Sequence, residues 1–410
     1  MSVSVTALRR YPRALTQNLP EVRERSIRSR IRVAYWLLCF NTLTYVAGFT
    51  VVPIPGKVGK GIAQAALPIA LLILLTINPK LKFRPNVYLC LLSLLVVDAA
   101  VTAFAVHHLG TAFRTFRLAE FVAALWLLTP WWGRPDMLLF KTHLTFLYGA
   151  IGSVLLGIFL SPHKAFAYGG RLTGDIWPVF PTGIAQWAGV AAGLTALLWL
   201  GRQVSGRLAS VGILVAVAAL LLTHTRTALA AGVAGLLIAG LSLFAGNARV
   251  RKFFGAVVAT VSVAVVTLAG VITAWLSRGE GTAGLITLTG RTNFWGLVLN
   301  LPRTRFDEIF GFGLSSASVN GLPIDSNWLS SYMQEGLFGV VVCALVLVYL
   351  LAACLFQPPG LRRALALFLV IYVLVASFTE DAFTDVSMYM LHLTIAASLL
   401  VTAGRQHPQE

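Results

Sequence analysis

The stretch VYLCLLSLLVVDAAVTAFAVH, residues 87–107, contains one charged side chain, Asp98, among 21 residues. A helix of about 20 apolar residues crosses the roughly 30 Å hydrocarbon core of a bilayer. Asp98 must therefore find a partner inside the protein or carry a proton. Similar apolar blocks recur, and we predict twelve transmembrane spans, near residues 33–54, 60–78, 87–107, 112–130, 138–160, 181–200, 207–224, 226–245, 253–276, 327–356, 364–380 and 386–403.

The composition supports an all-α polytopic membrane protein of about twelve transmembrane helices and excludes a soluble globule. Of the 410 residues, 57% are hydrophobic and 11% are charged, whereas soluble domains carry about 25% charged residues. The net charge of +17 collects in the tails and short loops, so membrane topology explains it better than nucleic-acid binding. The four cysteines lie in apolar blocks and are interpreted as small buried hydrophobes.

The distribution of Lys and Arg predicts that both termini are cytoplasmic, since 21 of the 32 basic residues then lie on the cytoplasmic side. We expect a basic tail over 1–32, one transmembrane domain over 33–403 and a short tail over 404–410. The tail over 1–32 lacks a signal-peptide pattern, so the first span is expected to direct insertion. Two outer loops, 161–182 and 277–326, are long enough to hold structure, and the second contains a short predicted helix.

Charged residues at membrane depth are costly and usually face polar cavities, so they are the candidate site residues. Arg226 lies in THTRTALAAG, residues 223–232, between two spans with almost no loop. It either extends to the membrane interface or binds an anion together with His224 and the neighbouring threonine hydroxyls.

The stretch LTGRTNFW, residues 288–295, lies in the second outer loop. Gly290 permits a tight turn, Arg291 offers a fork of donors that suits phosphate oxygens, and Trp295 can anchor a helix at the interface. The alternative is a simple contact with lipid headgroups. Pro302 is expected to end this helix.

Asp325 and Asn327 stand at the entry of the span that begins near residue 327. They either cap that helix, or Asp325 is a base at the mouth of the bundle. Other charged pairs are expected to be less informative. Glu380, Asp381 and Asp385 are interpreted as solvated loop charges, with pairing to Arg residues or binding of a cation as the alternatives. Arg171 and Asp175 are also interpreted as solvated loop charges, although Arg171 is a candidate for the anion site. Arg117 and Glu120 are interpreted as a helix-surface pair, and His107 and His108 as an interfacial pair rather than a metal site.

Four motifs in order resemble the O-antigen ligase and polymerase superfamily of bacterial cell-surface polysaccharide enzymes. They are RLTG at 171–174, THTRTALAAG at 223–232, TGRTNFW at 289–295 with FGFG at 310–313, and DSNWL at 325–329 with QEGLFG at 334–339. The resemblance is best across 168–345. The chain departs from the family pattern at two places. The proposed catalytic histidine of the family and its following asparagine fall on Asp325 and Ser326, and the usual glutamate before the glycine is shifted by one, to Glu335.

The resemblance implies transfer of a glycan from a polyprenyl-diphosphate carrier to an acceptor hydroxyl on the outer face of the bacterial cytoplasmic membrane. It implies catalytic roles for Asp325, Arg291 and Arg226. In addition, it implies substrate contacts for residues Arg226, Arg291, Arg171, His224, Asn327 and Trp295. The expected partners are the lipid-linked donor, a glycan or lipid acceptor and membrane lipids, without nucleic acid, metal or cofactor, and the expected displacement is inverting.

Other functions stay open at this point. The main alternative is a lipid-linked glycan flippase or another transporter, and a second is a non-catalytic scaffold for envelope assembly. A transporter of this size usually has two related halves, whereas the motifs here concentrate between 161 and 335. Ligase and polymerase are not distinguished.

Overall fold

The computed structural model describes residues 19–244 and 291–401, except positions 49, 52, 53, 317, 320 and 321. Besides its helices, the protein has a short 3-10 turn (Thr129–Trp131) and a small antiparallel hairpin. The hairpin consists of β1 (Ser318–Val319) and β2 (Leu322–Pro323). In chain order the helices are α1 (Leu19–Asn41), α2 (Gly56–Ile77), α3 (Val87–Val106), α4 (Leu109–Leu128), α5 (Leu138–Leu160), α6 (Pro162–Ala165), α7 (Pro181–Leu200), α8 (Gly206–Leu222), α9 (Arg226–Phe244), α10 (Arg291–Leu299), α11 (Arg305–Phe310), α12 (Asn327–Phe356), α13 (Leu361–Ala376) and α14 (Met388–Leu400).

The fold is all-α and membrane-like, as predicted. Within the described residues, six helices are long and apolar enough to cross a bilayer, namely α2, α3, α5, α7, α9 and α12. Eleven of the twelve predicted spans overlap a long helix, while the ninth, 253–276, lies outside the described residues. The number of twelve spans stays a prediction.

The first predicted span, 33–54, is wrong in its position. Helix α1 begins at Leu19, inside the predicted basic tail, and ends at Asn41. The chain then leaves the helix because its backbone bonds to the first outer loop, where Val46 N donates to Pro178 O at 3.0 Å. Glu24 and Arg28 form an ion pair one turn apart on the polar surface of α1, which supports helix in this basic stretch.

Consecutive long helices that are joined by described residues run antiparallel, so their connections collect at two ends of the bundle. One end, called the site face, holds connections 42–55, 161–180, 223–225, 300–326 and 377–387. There Arg171 Nε donates to Thr223 O at 2.8 Å. At the other end, called the opposite face and formed by 78–86, 132–137, 201–205 and 357–360, Gln357 Nε2 donates to Leu400 O at 2.7 Å.

Helix α7 lies at the centre of the bundle. In its apolar stretch 83% of residues are buried, against 33–39% in the other five membrane-length helices. Gly193 of α7 makes this packing possible, because a Cβ atom there would overlap the ring of buried Phe368 in α13. Small residues at such helix crossings allow close approach inside a membrane.

Replacing Gly193 with leucine should therefore lower the free energy of unfolding by about 1–3 kcal/mol through overpacking. Gly61→Leu is the matched control, since a Cβ on Gly61 of α2 has no neighbour within 4 Å. Thermal unfolding of both variants in detergent checks this. An unchanged midpoint in Gly193→Leu would contradict the packing of α7 against α13.

Candidate functional site

Helix α12 is broken at Gly336, where φ is 64° and ψ is −160°. The break receives the FGFG segment, because Phe312 N donates to Met333 O and Gly313 N donates to Gln334 O, both at 2.9 Å. A Cβ on Gly336 would lie 2.6 Å from Gly311 N, so only glycine fits. Two motifs that are separate in sequence therefore contact each other at the backbone.

The first part of α12, Asn327–Glu335, holds the connection between α13 and α14. The Asn327 amide oxygen accepts from Ala382 N at 3.2 Å and from Phe383 N at 2.8 Å. Asn327 is fully buried, so the geometry gives it a positioning role for residues 380–387. Asn327 does not cap the helix, as the alternative prediction had it, because the N-cap residue of α12 is Ser326. The Ser326 side chain makes no capping hydrogen bond.

Arg171 joins the junction that contains Arg226. Its Nε donates to Thr223 O at 2.8 Å and its Nη2 donates to Thr225 Oγ1 at 3.1 Å. His224 turns the chain between α8 and α9 in the left-handed region, with φ 51°. The interpretation of Arg171 as a plain solvated loop charge is therefore wrong, and the two predicted stretches lie side by side.

Arg226 is the first residue of α9. Its Nε and Nη2 atoms are buried and have no hydrogen-bond acceptor among the described residues. The N-terminal end of a helix carries partial positive charge, which also favours an anion. Guanidinium and helix end together make this junction suited to a phosphate group.

The Arg226 junction is in contact with the acidic connection after α13. Thr227 Oγ1 lies 2.7 Å from Thr379 Oγ1, and Thr379 immediately precedes Glu380 and Asp381. The basic junction and the acidic connection thus form one polar surface on the site face.

A polar cavity of about 560 Å³ opens beside this surface. Basic residues from α2 and α4 face acidic residues from the α13–α14 connection across it, and aromatic rings complete the wall. Its charged lining residues are Lys60, Arg114, Arg117, Glu380, Asp381 and Asp385, and its aromatic ones include Phe113, Phe180, Trp187 and Tyr389.

The predicted pair of Arg117 with Glu120 is wrong. Arg117 Nη1 instead lies 3.7 Å from Asp385 Oδ2. Neighbouring Arg114 Nη1 donates to Leu314 O at 2.8 Å, which ties α4 to the FGFG segment. The start of α4 therefore faces the cavity and the second outer loop rather than solvent alone.

Asp381 is exposed, as expected of a loop charge, but two hydroxyl groups donate to its carboxylate. Its side chain is exposed to the cavity, and partial loss of hydration within this recess raises its pKa to about 6. Hydrogen bonds from Thr384 Oγ1 (2.7 Å) and Ser330 Oγ (3.0 Å) lower the pKa of Asp381, whereas the negative charge of Asp385 raises it further.

The remaining predicted residues lie on the same face. Helix α10 packs on α12 through buried Val298, and this places Trp295 on the site face with its indole Nε1 buried. Asp325 is half-buried just before α12. Arg291 begins α10, but its side chain, like Gly290, lies outside the described part of the chain.

No protein-family model matches this chain, and no curated protein sequence matches it. The chemistry of the site combines donors suited to an anion, a neighbouring polar cavity and a carboxylate open to that cavity.

The raised pKa of Asp381 predicts a pH-dependent stability. An unfolded aspartate titrates near pH 4, so the folded state binds this proton more tightly than the unfolded state does. The contribution is complete below about pH 4 and is lost as pH rises through about 6. Thermal midpoints measured from pH 4 to 7 should show this decrease in the wild type and lack it in Asp381→Asn.

Glu308→Gln is the control, because Glu308 is exposed on α11. This variant should keep the wild-type pH profile. Identical profiles for wild type and Asp381→Asn would contradict the assigned environment of Asp381.

Proposed function

We propose that this chain is a membrane glycosyltransferase of the O-antigen ligase and polymerase kind. It moves a glycan from a polyprenyl-diphosphate carrier to an acceptor hydroxyl on the outer face of the bacterial cytoplasmic membrane. The observation that carries the proposal is the contact between Thr227 and Thr379, which joins the Arg226 junction to the acidic wall of the polar cavity. A donor phosphate and an acceptor hydroxyl then have adjacent places.

In the proposed reaction the acceptor oxygen attacks the anomeric carbon, the bond from that carbon to the diphosphate oxygen breaks, and the diphosphate leaves on its lipid. The leaving group carries the developing negative charge, so fixed donors near it lower the barrier. Arg226 supplies two buried donor atoms for this purpose, and Arg171 lies beside it. Arg291 is the third proposed donor, on the strength of its motif, and His224 and Trp295 are proposed to line the donor site.

The proton of the acceptor hydroxyl must pass to a base. Asp325 holds the sequence position of the family histidine and lies at the start of α12. Asp381 is the second candidate, because it is open to the cavity and its pKa is about 6. A carboxylate with a raised pKa is a better base near neutral pH than an ordinary aspartate.

In the proposed topology the site face is external and the opposite face is cytoplasmic, with twelve spans and both termini inside. The opposite face then presents its basic residues to the cytoplasm, in agreement with the usual bias. Those residues include Lys80, Lys82, Arg84, Arg202 and Arg362.

A lipid-linked glycan flippase is the second candidate function, and the break in α12 favours it. Transporters often bind substrates and coupling ions at interrupted helices. The break at Gly336 directly follows Glu335, which is fully buried and whose carboxylate oxygens have no partner among the described residues.

Transfer of radiolabel separates the two functions. Purified protein in proteoliposomes receives the labelled lipid-linked glycans of its own bacterium together with membrane extract as acceptor. A transferase moves label from the organic-soluble carrier into a product that no longer contains the carrier lipid. Movement of intact carrier across the bilayer, without any such product, would identify a flippase and reject the proposal.

Arg226→Ala should reduce transfer at least about a hundredfold, because loss of one preorganised donor to a leaving charge typically costs this much. Arg207→Ala is the control, since Arg207 is an exposed arginine at the opposite end of α8. Initial rates at matched amounts of folded protein are compared. A loss below tenfold in Arg226→Ala would reject its role at the leaving group.

Asp325→Asn and Asp381→Asn identify the base. Removal of the base should lower kcat about a hundredfold or more and abolish the acidic limb of the pH profile of kcat/KM. If Asp381 is the base, that limb in the wild type lies near pH 6. Wild-type rates and pH profiles in both variants would exclude carboxylate catalysis at this site.

A further inference from the structure

A second, apolar cavity of about 980 Å³ follows the seam between α1 and α5. It is called the seam groove and is lined mainly by aromatic and aliphatic side chains. Trp36 forms one edge, with its ring edge-on to Phe146 at a centroid distance of 5.4 Å. Gly149 leaves space beneath this ring, since a Cβ there would lie 3.3 Å from the Trp36 indole.

The seam groove is on the surface that is expected to meet lipid. Val33 is 50% exposed and Trp36 is 42% exposed, and both line the groove. Both belong to α1, and the facing wall is formed by α5, which is long and apolar enough to cross a bilayer. An apolar chain therefore has direct access from the bilayer.

The seam groove and the polar cavity share a wall. Leu43, Val179 and Trp187 line both of them. Trp177 closes the groove at the site face, where its ring packs against Phe40 and Tyr45 with centroid distances of 4.9 Å and 4.8 Å.

A single connection, 161–180, joins the groove to the anion site. It contributes Trp177 and Val179 to the groove and Arg171 to the Arg226 junction. It is fixed in place because Val51 N donates to Asp175 O at 3.0 Å. A ligand with a charged head and a long apolar chain would match both parts.

We propose that the seam groove binds the isoprenoid chain of the lipid carrier while the polar head of that carrier is held on the site face. This inference rests on the proposed function and adds the place of the hydrocarbon chain. The groove extends along α5 from Lys141 to Val154, about 20 Å at 1.5 Å per residue. That length exceeds the depth of one leaflet, about half of the 30 Å hydrocarbon core.

The other end of the groove provides the competing occupant. Arg32 and Lys141 line it near the opposite face. An anionic phospholipid with its headgroup there would also place a chain in the groove. The experiment therefore includes both lipids.

The test compares Gly149→Leu with Gly152→Leu. Both add the same side chain to α5, but only Gly149 lines the groove, whereas a Cβ on Gly152 meets nothing within 4 Å. Binding of undecaprenyl phosphate to the full-length protein in detergent is measured by native mass spectrometry. Gly149→Leu should weaken it at least about tenfold, because excluding two methylene groups from burial is sufficient, and Gly152→Leu should leave it unchanged.

Thr145→Trp is a second variant that fills the groove from an exposed position on α5, in case Gly149→Leu does not fold. Wild-type affinity in both groove variants overturns the inference. A second result also overturns it. In that result the protein binds phosphatidylglycerol more tightly than undecaprenyl phosphate, and the double variant Arg32→Ala, Lys141→Ala loses its binding of phosphatidylglycerol.

The radiolabel assay distinguishes failure of this inference from failure of the proposed function. Normal transfer by folded Gly149→Leu, together with normal lipid binding, overturns the groove alone. Groove-dependent binding of undecaprenyl phosphate without any transfer by the wild type supports the groove and rejects the transferase.

Discussion

The backbone break at Gly336 is the constraint on which the site depends. A backbone carbonyl at membrane depth must bond within the protein, and at this break the FGFG segment supplies the donors at Phe312 and Gly313. The docked segment fixes the direction of the first part of α12. Asn327 and Ser330 of that part then hold the α13–α14 connection, and with it the acidic wall of the polar cavity.

The second feature is the use of very short connections to place charge. Arg226 follows α8 after only three residues, so its position is set by two packed helices rather than by a loop. Its buried donors and the hydrogen bonds of Arg171 hold two guanidinium groups in fixed positions, which supports the proposed anion site. Preorganised donors in a poorly hydrated site stabilise charge more effectively than the same groups in water.

Much of the fold could be predicted from the sequence, because apolar periodicity and span length report directly on burial in a membrane. The sequence also suggested that Arg171 joins the Arg226 junction, since both residues lie in motifs that resemble one family. The end of α1 was not predicted correctly from the sequence. Residues 42–55 are mostly apolar and so were assigned to the span. Pro53 and Pro55 disfavour a helix there, and Val46 bonds to Pro178 in the connection 161–180 instead.

Parts of the site were missed for a related reason. Asp381 and Asp385 look like loop charges in sequence. The ion pair of Asp385 with Arg117 and the hydrogen bond from Ser330 to Asp381 depend on contacts between elements far apart along the chain. One signal was present, since three of the 15 acidic residues fall within six positions, 380–385. The Asn327 amide oxygen accepts from two backbone N–H groups, and the substrate contact that the resemblance implies for this residue stays a prediction.

The most direct test of the account is a cryo-electron microscopy map of the protein in nanodiscs with undecaprenyl diphosphate. The account predicts diphosphate density in contact with the guanidinium of Arg226 on the site face. Density at the opposite face, for example beside Arg362, or no ordered phosphate near Arg226 at saturating lipid, would contradict it.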